Sequence, residues 1–220
     1  MQRLLSLGES LTLALCWRSG PFHHLSMYTD WLRVQKQQMV DGGKGRVFIP
    51  TLTAATYGEM DATAVLDGAL HSFGVGSTGF AFFSSADFDD GGKILALSTA
   101  AALAAPFEDH FFHGRPLVAM LDIEDAASQN VLAWSGMSHQ SSLWVVVTPR
   151  RRGATTALKF KDGNGVAETA CDLVAGKVVT LKNLTFSAVL EGSTVLHIAA
   201  GAAAGPGCNG PVAKNLWWPR

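Results

Sequence analysis

The 220-residue chain has few charged residues. Asp, Glu, Lys and Arg together make up 16% of the sequence, and the formal net charge is −1 at pH 7. Without an excess of basic residues, no electrostatic field attracts nucleic acid or anionic lipid, so we expect neither as a partner. The short basic run at 150–152 is typical of a solvated turn.

Cysteine is scarce as well. Cys16, Cys171 and Cys208 lie far apart, and their odd number excludes a closed disulfide framework. Neither a Cys-x-x-Cys pair nor a Cys/His spacing typical of zinc is present. We therefore expect no structural metal.

The chain also lacks a long uninterrupted apolar run, so no transmembrane helix is predicted. The first residues are apolar enough to resemble a signal peptide, but Glu9 interrupts them and no clear cleavage pattern follows. The compartment is therefore undetermined, and secretion is an open alternative. The sequence Asn183-Leu184-Thr185 is an N-glycosylation acceptor that matters only if the chain is secreted.

The segment 74–79 matches the Gly-x-Gly-x-x-Gly pattern of dinucleotide-binding loops letter for letter. In a dinucleotide-binding unit that loop follows a strand and precedes a helix. Here it follows a predicted helix and precedes a predicted strand, so turn glycines explain it better. We expect no cofactor.

The first half of the chain alternates between strand and helix patterns. Predicted strands at 10–17, 46–52 and 79–83 are each followed by a predicted helix, at 27–40, 62–73 and 93–105. Such alternation predicts a parallel sheet with right-handed crossovers. In the first helix we expect Val34 on the buried face and Lys36 on the polar face. The third helix has almost no polar face, so we expect it to be buried on all sides, including Ile94 and Leu95.

The second half reads as antiparallel β structure. About eight short strand patterns, at 117–123, 131–134, 143–148, 155–160, 169–174, 177–184, 186–191 and 194–199, are separated by turn signals such as Ser135-Gly136. This spacing predicts a β-sandwich. The expected division is an α/β unit at 1–115, an antiparallel β-sandwich at 116–200 and a loose tail at 201–220.

Candidate functional residues follow the three predicted parallel strands, where chemistry gathers in parallel α/β folds. Trp17 follows the first strand, Tyr57 and Glu59 follow the second, and Asp87 and Asp89 follow the third. Carboxylates beside aromatic rings suit sugar binding and acid/base cleavage of a glycosidic bond. We assign Glu59 and Asp87 as the catalytic pair, and Trp17, Tyr57 and Asp89 as substrate-binding residues. The alternative is that these acids are solvated loop residues or helix caps.

Two histidines, His110 and His113, are spaced to share one face of a helix that ends at Gly114. Metal binding is conceivable there. We favour a second interpretation, in which both are cations near the helix C-terminus.

Two segments carry a family resemblance. GFAFFSSADFDD at 79–90 looks like the last strand of a barrel with its loop, and FSAVLEGSTVLHIAA at 186–200 looks like the final hairpin of a β-domain. The order of elements resembles the C-terminal part of glycoside hydrolases that carry a (β/α)8 barrel followed by a β-domain. The resemblance implies a carbohydrate substrate and the last three βα units of such a barrel. No family signature is present, so no family catalytic residue is transferred.

A full barrel takes about 250 residues, so the resemblance leaves five βα units unaccounted for. We expect activity to require them, and we expect the chain to self-associate through the incomplete barrel. The alternative function is a non-catalytic carbohydrate-binding or structural remnant. A third possibility is a different barrel enzyme whose acidic loop binds a metal.

Overall fold

A computed structural model describes residues 10–14, 25–41, 47–52, 61–79, 81–82, 90–117, 121–122, 130–160, 168–199 and 208. The first half contains β1 (Ser10–Ala14), α1 (Leu25–Asp41), β2 (Val47–Leu52), α2 (Ala62–Gly74), β3 (Ala81–Phe82), α3 (Gly91–Ala104), a 3-10 turn (Ala105–Phe107) and α4 (Glu108–His113). The second half contains β4 (Arg115–Pro116), β5 (Leu121–Asp122), β6 (Val131–His139), β7 (Ser142–Pro149), β8 (Ala154–Phe160), β9 (Thr169–Asp172), β10 (Lys177–Thr180), β11 (Thr185–Leu190) and β12 (Thr194–Ala199). The prediction of mixed helix and strand with antiparallel sheets is confirmed.

Strands β1, β2 and β3 form one parallel sheet in that order. Pro50 lies inside β2, opposite Leu13 of β1. The Thr78 amide donates to the Phe48 carbonyl oxygen, and the register with β3 continues at Thr51, so Pro50 lies between these two contacts.

Helix α1 turns a different face to the core than the sequence pattern predicts. The expectation that Val34 is buried and Lys36 exposed is wrong, since Val34 is 52% exposed and Lys36 is buried. The buried stripe instead contains Tyr28 and Leu32. Lys36 is accommodated because its Nζ donates to the carbonyl oxygen of Gly76 at 3.1 Å. This hydrogen bond offsets part of the cost of burying the Lys36 amine beside the apolar residues of the stripe.

Helix α3 is buried on one side, not on all sides. Its N-cap is Asp90, whose Oδ1 accepts from the Gly92 amide at 2.8 Å. The buried positions are Ala96, Thr99, Ala100, Leu103 and Ala104. Ile94 and Leu95 are 42% and 45% exposed. The small alanine side chains allow α3 to pack closely on α2. Only one face of α3 takes part in this contact.

The second half forms two antiparallel sheets. One has the order β10-β9-β12-β7-β6-β4, and the other has the order β11-β8-β5. The predicted turn at Ser135-Gly136 is wrong, because both residues lie inside β6. A Cβ on Gly136 would come within 2.7 Å of Leu117 Cδ1 and 2.9 Å of the Trp144 carbonyl oxygen. This glycine therefore permits close packing inside a strand and marks no turn.

Two apolar cores flank the six-stranded sheet. Trp144 and Val146 of β7 belong to a core shared with the helices, together with Leu70 of α2. Val145 and Val147, which alternate with them, belong to a second core shared with the three-stranded sheet. One continuous core therefore joins the helices to the six-stranded sheet.

Cys171 and Cys208 form a disulfide, with 5.4 Å between their Cα atoms. Three cysteines excluded a closed framework, but the spacing in sequence gave no sign of this single bridge. Cys208 is buried and fastened to β9. The rest of the segment 201–220, which we expected to be a loose tail, lies outside the described residues, as does Cys16.

Leu70→Ala is expected to lower the free energy of unfolding by about 2–5 kcal/mol, because Leu70 is fully buried in the core shared by both halves. Leu95→Ala is the matched control, with an expected change within about 0.5 kcal/mol because Leu95 is half exposed. Urea unfolding followed by circular dichroism and tryptophan fluorescence measures both. Equal losses in the two variants would contradict the shared core.

Candidate active site

The carboxyl ends of the three parallel strands define one edge of their sheet. Ala14 lies beside Thr51, and Thr51 lies beside Ala81. The segments that leave this edge are 15–24, 53–60 and 83–89. Because the strands are parallel neighbours, these three segments start within one or two strand spacings of each other, a spacing being about 4.8 Å.

All five predicted site residues follow this edge. Trp17, Tyr57, Glu59, Asp87 and Asp89 lie outside the described residues, so their roles stay predictions. The strands that precede Glu59 and Asp87 are β2 and β3, which are hydrogen-bonded neighbours. This adjacency is what the predicted pairing of the two carboxylates requires.

A groove of about 220 Å³ lies between the first half of α1 and the start of β6. It is lined by Ser26, Thr29, Asp30, Arg33, Val131, Leu132, Ala133 and Trp134. Helix α1 begins after the segment 15–24, which leaves the carboxyl edge of the sheet. Its first turns pack on the last turn of α2, where the Tyr28 hydroxyl lies 2.8 Å from Ser72 Oγ.

In this groove the side chain of Arg33 stacks on the indole ring of Trp134. The Arg33 guanidinium carbon lies 4.1 Å from the centre of the Trp134 ring. Its Nη1 contacts Asp30 Oδ1 at 2.7 Å, and its Nη2 donates to the Trp134 carbonyl oxygen. Burial lowers the pKa of Arg33, and the Asp30 carboxylate opposes that change.

Part of this groove could be predicted from the sequence. Asp30 and Arg33 are three residues apart on one helix, a spacing that favours an ion pair. Trp134 lies 101 residues further along, so its contact with Arg33 required the fold. The groove offers fixed polar donors and acceptors beside an apolar wall, a combination typical of small-ligand sites.

A chain of buried polar side chains connects α2 to the second half. Ser193 Oγ donates to Asp67 Oδ1 at 2.5 Å and lies 2.5 Å from Thr148 Oγ1. His71 contacts Thr148 Oγ1 through Nε2 and Ser135 Oγ through Nδ1, each at 2.8 Å. All five residues are buried.

Burial sets the protonation states in this network. Burial, with a smaller contribution from the charge on Arg33, lowers the pKa of His71 to about 3. Burial also raises the pKa of Asp67 to about 7, against the hydrogen bond from Ser193. When Asp67 is ionised, a neutral His71 protonated on Nε2 donates to Thr148, which donates to Ser193, which donates to Asp67. In this state the Nε2 proton and both hydroxyl protons have acceptors.

Two buried histidines, His110 and His197, contact the ring of Phe107. The ring of His110 lies 5.7 Å from that of His139 and 6.1 Å from that of His197. Burial, followed by the nearby charges of His197 and His139, lowers the pKa of His110 to about 4. The expectation that His110 is a cation at the helix end is therefore wrong at neutral pH. Its Nε2 contacts Ser142 Oγ at 2.8 Å.

Across the described ranges, no cluster of three or more His, Cys, Asp or Glu residues is arranged to hold a metal ion. Within those same ranges, no helix is long and apolar enough to cross a membrane.

Asp67→Asn is expected to change how stability depends on pH. Between pH 3.8 and about 7, the folded chain holds a proton on Asp67 that the unfolded chain has released, so this carboxyl makes stability fall as pH rises. His71 acts oppositely between about pH 3 and 6.5, because the unfolded chain holds the proton. Without the carboxyl, the free energy of unfolding should rise more steeply with pH, by up to about 1.4 kcal/mol per pH unit.

His71→Gln is the matched opposite variant. It removes the histidine whose titration makes the free energy of unfolding rise with pH, so the slope of that free energy against pH should be more negative than in the wild type. Urea unfolding at half-unit steps from pH 4 to 7 measures all three slopes. Parallel curves for the wild type and Asp67→Asn would mean that Asp67 is ionised in the fold.

No family model and no curated protein sequence matches the chain. Among solved structures, the chain is similar to a GH30 endoxylanase from Clostridium papyrosolvens C71, with 14% sequence identity and a TM-score of 0.49. The match covers 89% of this chain and 50% of the endoxylanase chain. The chain thus spans about half the length of the structure that it matches.

Proposed function

We propose that this chain is part of a glycoside hydrolase-like protein that hydrolyses a carbohydrate by carboxylate acid/base catalysis. In this proposal β1 to β3 and their helices are the last three βα units of a (β/α) barrel, and the two antiparallel sheets are the β-sandwich that follows it. The observation that carries the proposal is that β2 and β3 are parallel neighbours. Their following segments contain Glu59 and Asp87.

The chemistry needs two carboxyl groups on either side of a glycosidic bond. One protonates the leaving oxygen, while the other attacks the sugar or activates a water molecule. Carboxyl separations of about 5 to 9 Å cover both geometries, and side chains that follow neighbouring strands about 4.8 Å apart can reach them. Glu59 and Asp87 are the residues that we assign to this pair.

Substrate binding is assigned to the same edge. Trp17 and Tyr57 would stack on the apolar face of a sugar ring, and Asp89 would accept hydrogen bonds from its hydroxyl groups.

The missing part of the barrel belongs to the proposal. We propose that the remaining βα units come from elsewhere in the complete protein, and that without them the chain self-associates through the open sheet. Exposed Ile94 and Leu95 on α3 are consistent with a partner on that side.

In the full-length protein, Glu59→Gln and Asp87→Asn should each lower turnover by about 10²- to 10⁴-fold, because each keeps the shape of the side chain but removes its acidity. Release of the leaving group from aryl glycosides measures turnover. Glu191→Gln is the control, since Glu191 is exposed in the second half of the chain and should keep wild-type turnover.

Two outcomes would contradict parts of the proposal. Wild-type turnover in both variants would place the catalytic pair elsewhere in the protein. Retention on an insoluble polysaccharide, without turnover by the wild type, would favour the non-catalytic carbohydrate-binding function.

A further inference from the structure

A two-residue turn between β10 and β11 lies on the surface. Lys182 and Thr185 exchange backbone hydrogen bonds of 3.1 and 2.9 Å. Between them, Asn183 and Leu184 have φ angles of 50° and 60°. Positive φ at both central residues is the geometry of the tight turn that joins antiparallel strands.

The turn carries the acceptor sequence Asn183-Leu184-Thr185. Asn183 is exposed, and among the described residues its carboxamide takes part in no hydrogen bond. A bulky group on its Nδ2 would therefore displace no contact of the fold. Asn is also one of the few residues that adopts positive φ at low cost.

The disulfide between Cys171 and Cys208 is an independent observation that points the same way. Both cysteines are buried, and the bridge connects β9 to a residue 37 positions further along. Such bridges form and persist in oxidising compartments and are rare in the cytosol. The lumen of the endoplasmic reticulum, where N-linked glycans are attached, is one such compartment.

We propose that Asn183 carries an N-linked oligosaccharide. The donor is a lipid-linked diphosphate oligosaccharide. A bond forms between Asn183 Nδ2 and the anomeric carbon of the first sugar, and the bond from that carbon to the diphosphate oxygen breaks. Nδ2 loses one proton, and the lipid diphosphate leaves with the bonding electron pair. No oxidant or reductant is involved.

The glycan would shield two sheet edges. In the described residues, β10 is the last strand of the six-stranded sheet and β11 is the last strand of the three-stranded sheet. Val178 on β10 and Val189 on β11 are 51% and 61% exposed. Open edges with exposed apolar residues favour pairing with other chains. A bulky, solubilising group on the turn between them opposes that pairing.

The first experiment tests the modification. The chain, supplied with a secretion signal, is expressed in eukaryotic cells, and its intact mass is measured before and after treatment with a peptide N-glycosidase. The wild type should lose the mass of one glycan. Thr185→Ser keeps the acceptor sequence and should behave like the wild type, whereas Thr185→Ala and Asn183→Gln should lose nothing. A secreted wild type with the mass of its bare sequence would overturn the proposal.

The second experiment tests the shielding. Light scattering over a concentration series should show Asn183→Gln associating at concentrations at least several-fold lower than the glycosylated wild type. Adding Val178→Lys and Val189→Lys should reverse this difference, because charges on edge strands oppose pairing. Equal association of the wild type and Asn183→Gln would overturn the shielding role. Neither experiment depends on glycosidase activity.

Discussion

The fold depends on a sheet that is buried on both faces. Trp144 and Val145 are neighbours in the chain, yet one packs against the helices and the other against the three-stranded sheet. Strand geometry requires this, because successive side chains point to opposite faces. On β12, Val195 and Leu196 repeat the arrangement. Both strands therefore read as almost continuous apolar runs, although the sheet is antiparallel.

A buried polar chain is embedded in this largely apolar arrangement. Removing Asp67 and His71 from water is costly unless each finds partners. The two residues are one turn apart on α2, and the hydroxyl groups of Thr148 on β7 and Ser193 before β12 connect them. Ser135 on β6 contacts the other ring nitrogen of His71. Apolar packing alone would allow α2 to slide or rotate on the sheet. The hydrogen bonds favour one position, because any other leaves several buried groups unsatisfied.

Local patterns predicted what depends on local physics. The alternation of elements and the strand patterns of the second half are readable because hydrophobic period and turn chemistry act over a few residues. The buried face of α1 was missed because a single distant carbonyl, that of Gly76, satisfies Lys36. The disulfide and the Arg33 contact with Trp134 were missed for the same reason, since both join residues that only the fold brings together. The predicted catalytic pair stays a prediction that the parallel sheet permits.

The candidate site depends on the antiparallel half as well as on its own strands. A Cβ on Gly74, the last residue of α2, would lie 2.0 Å from Ser135 Oγ, so this glycine is what allows the end of α2 to close onto β6. Four residues later, the Thr78 amide donates to the Phe48 carbonyl oxygen of β2 at 2.9 Å. The chain that leads into β3 is therefore held at one end by β6 and at the other by β2. The amino ends of β2 and β3 are thus held by contacts that cross from one half of the chain to the other. A change at Gly74 is therefore expected to shift the two strands whose opposite, carboxyl ends precede segments 53–60 and 83–89.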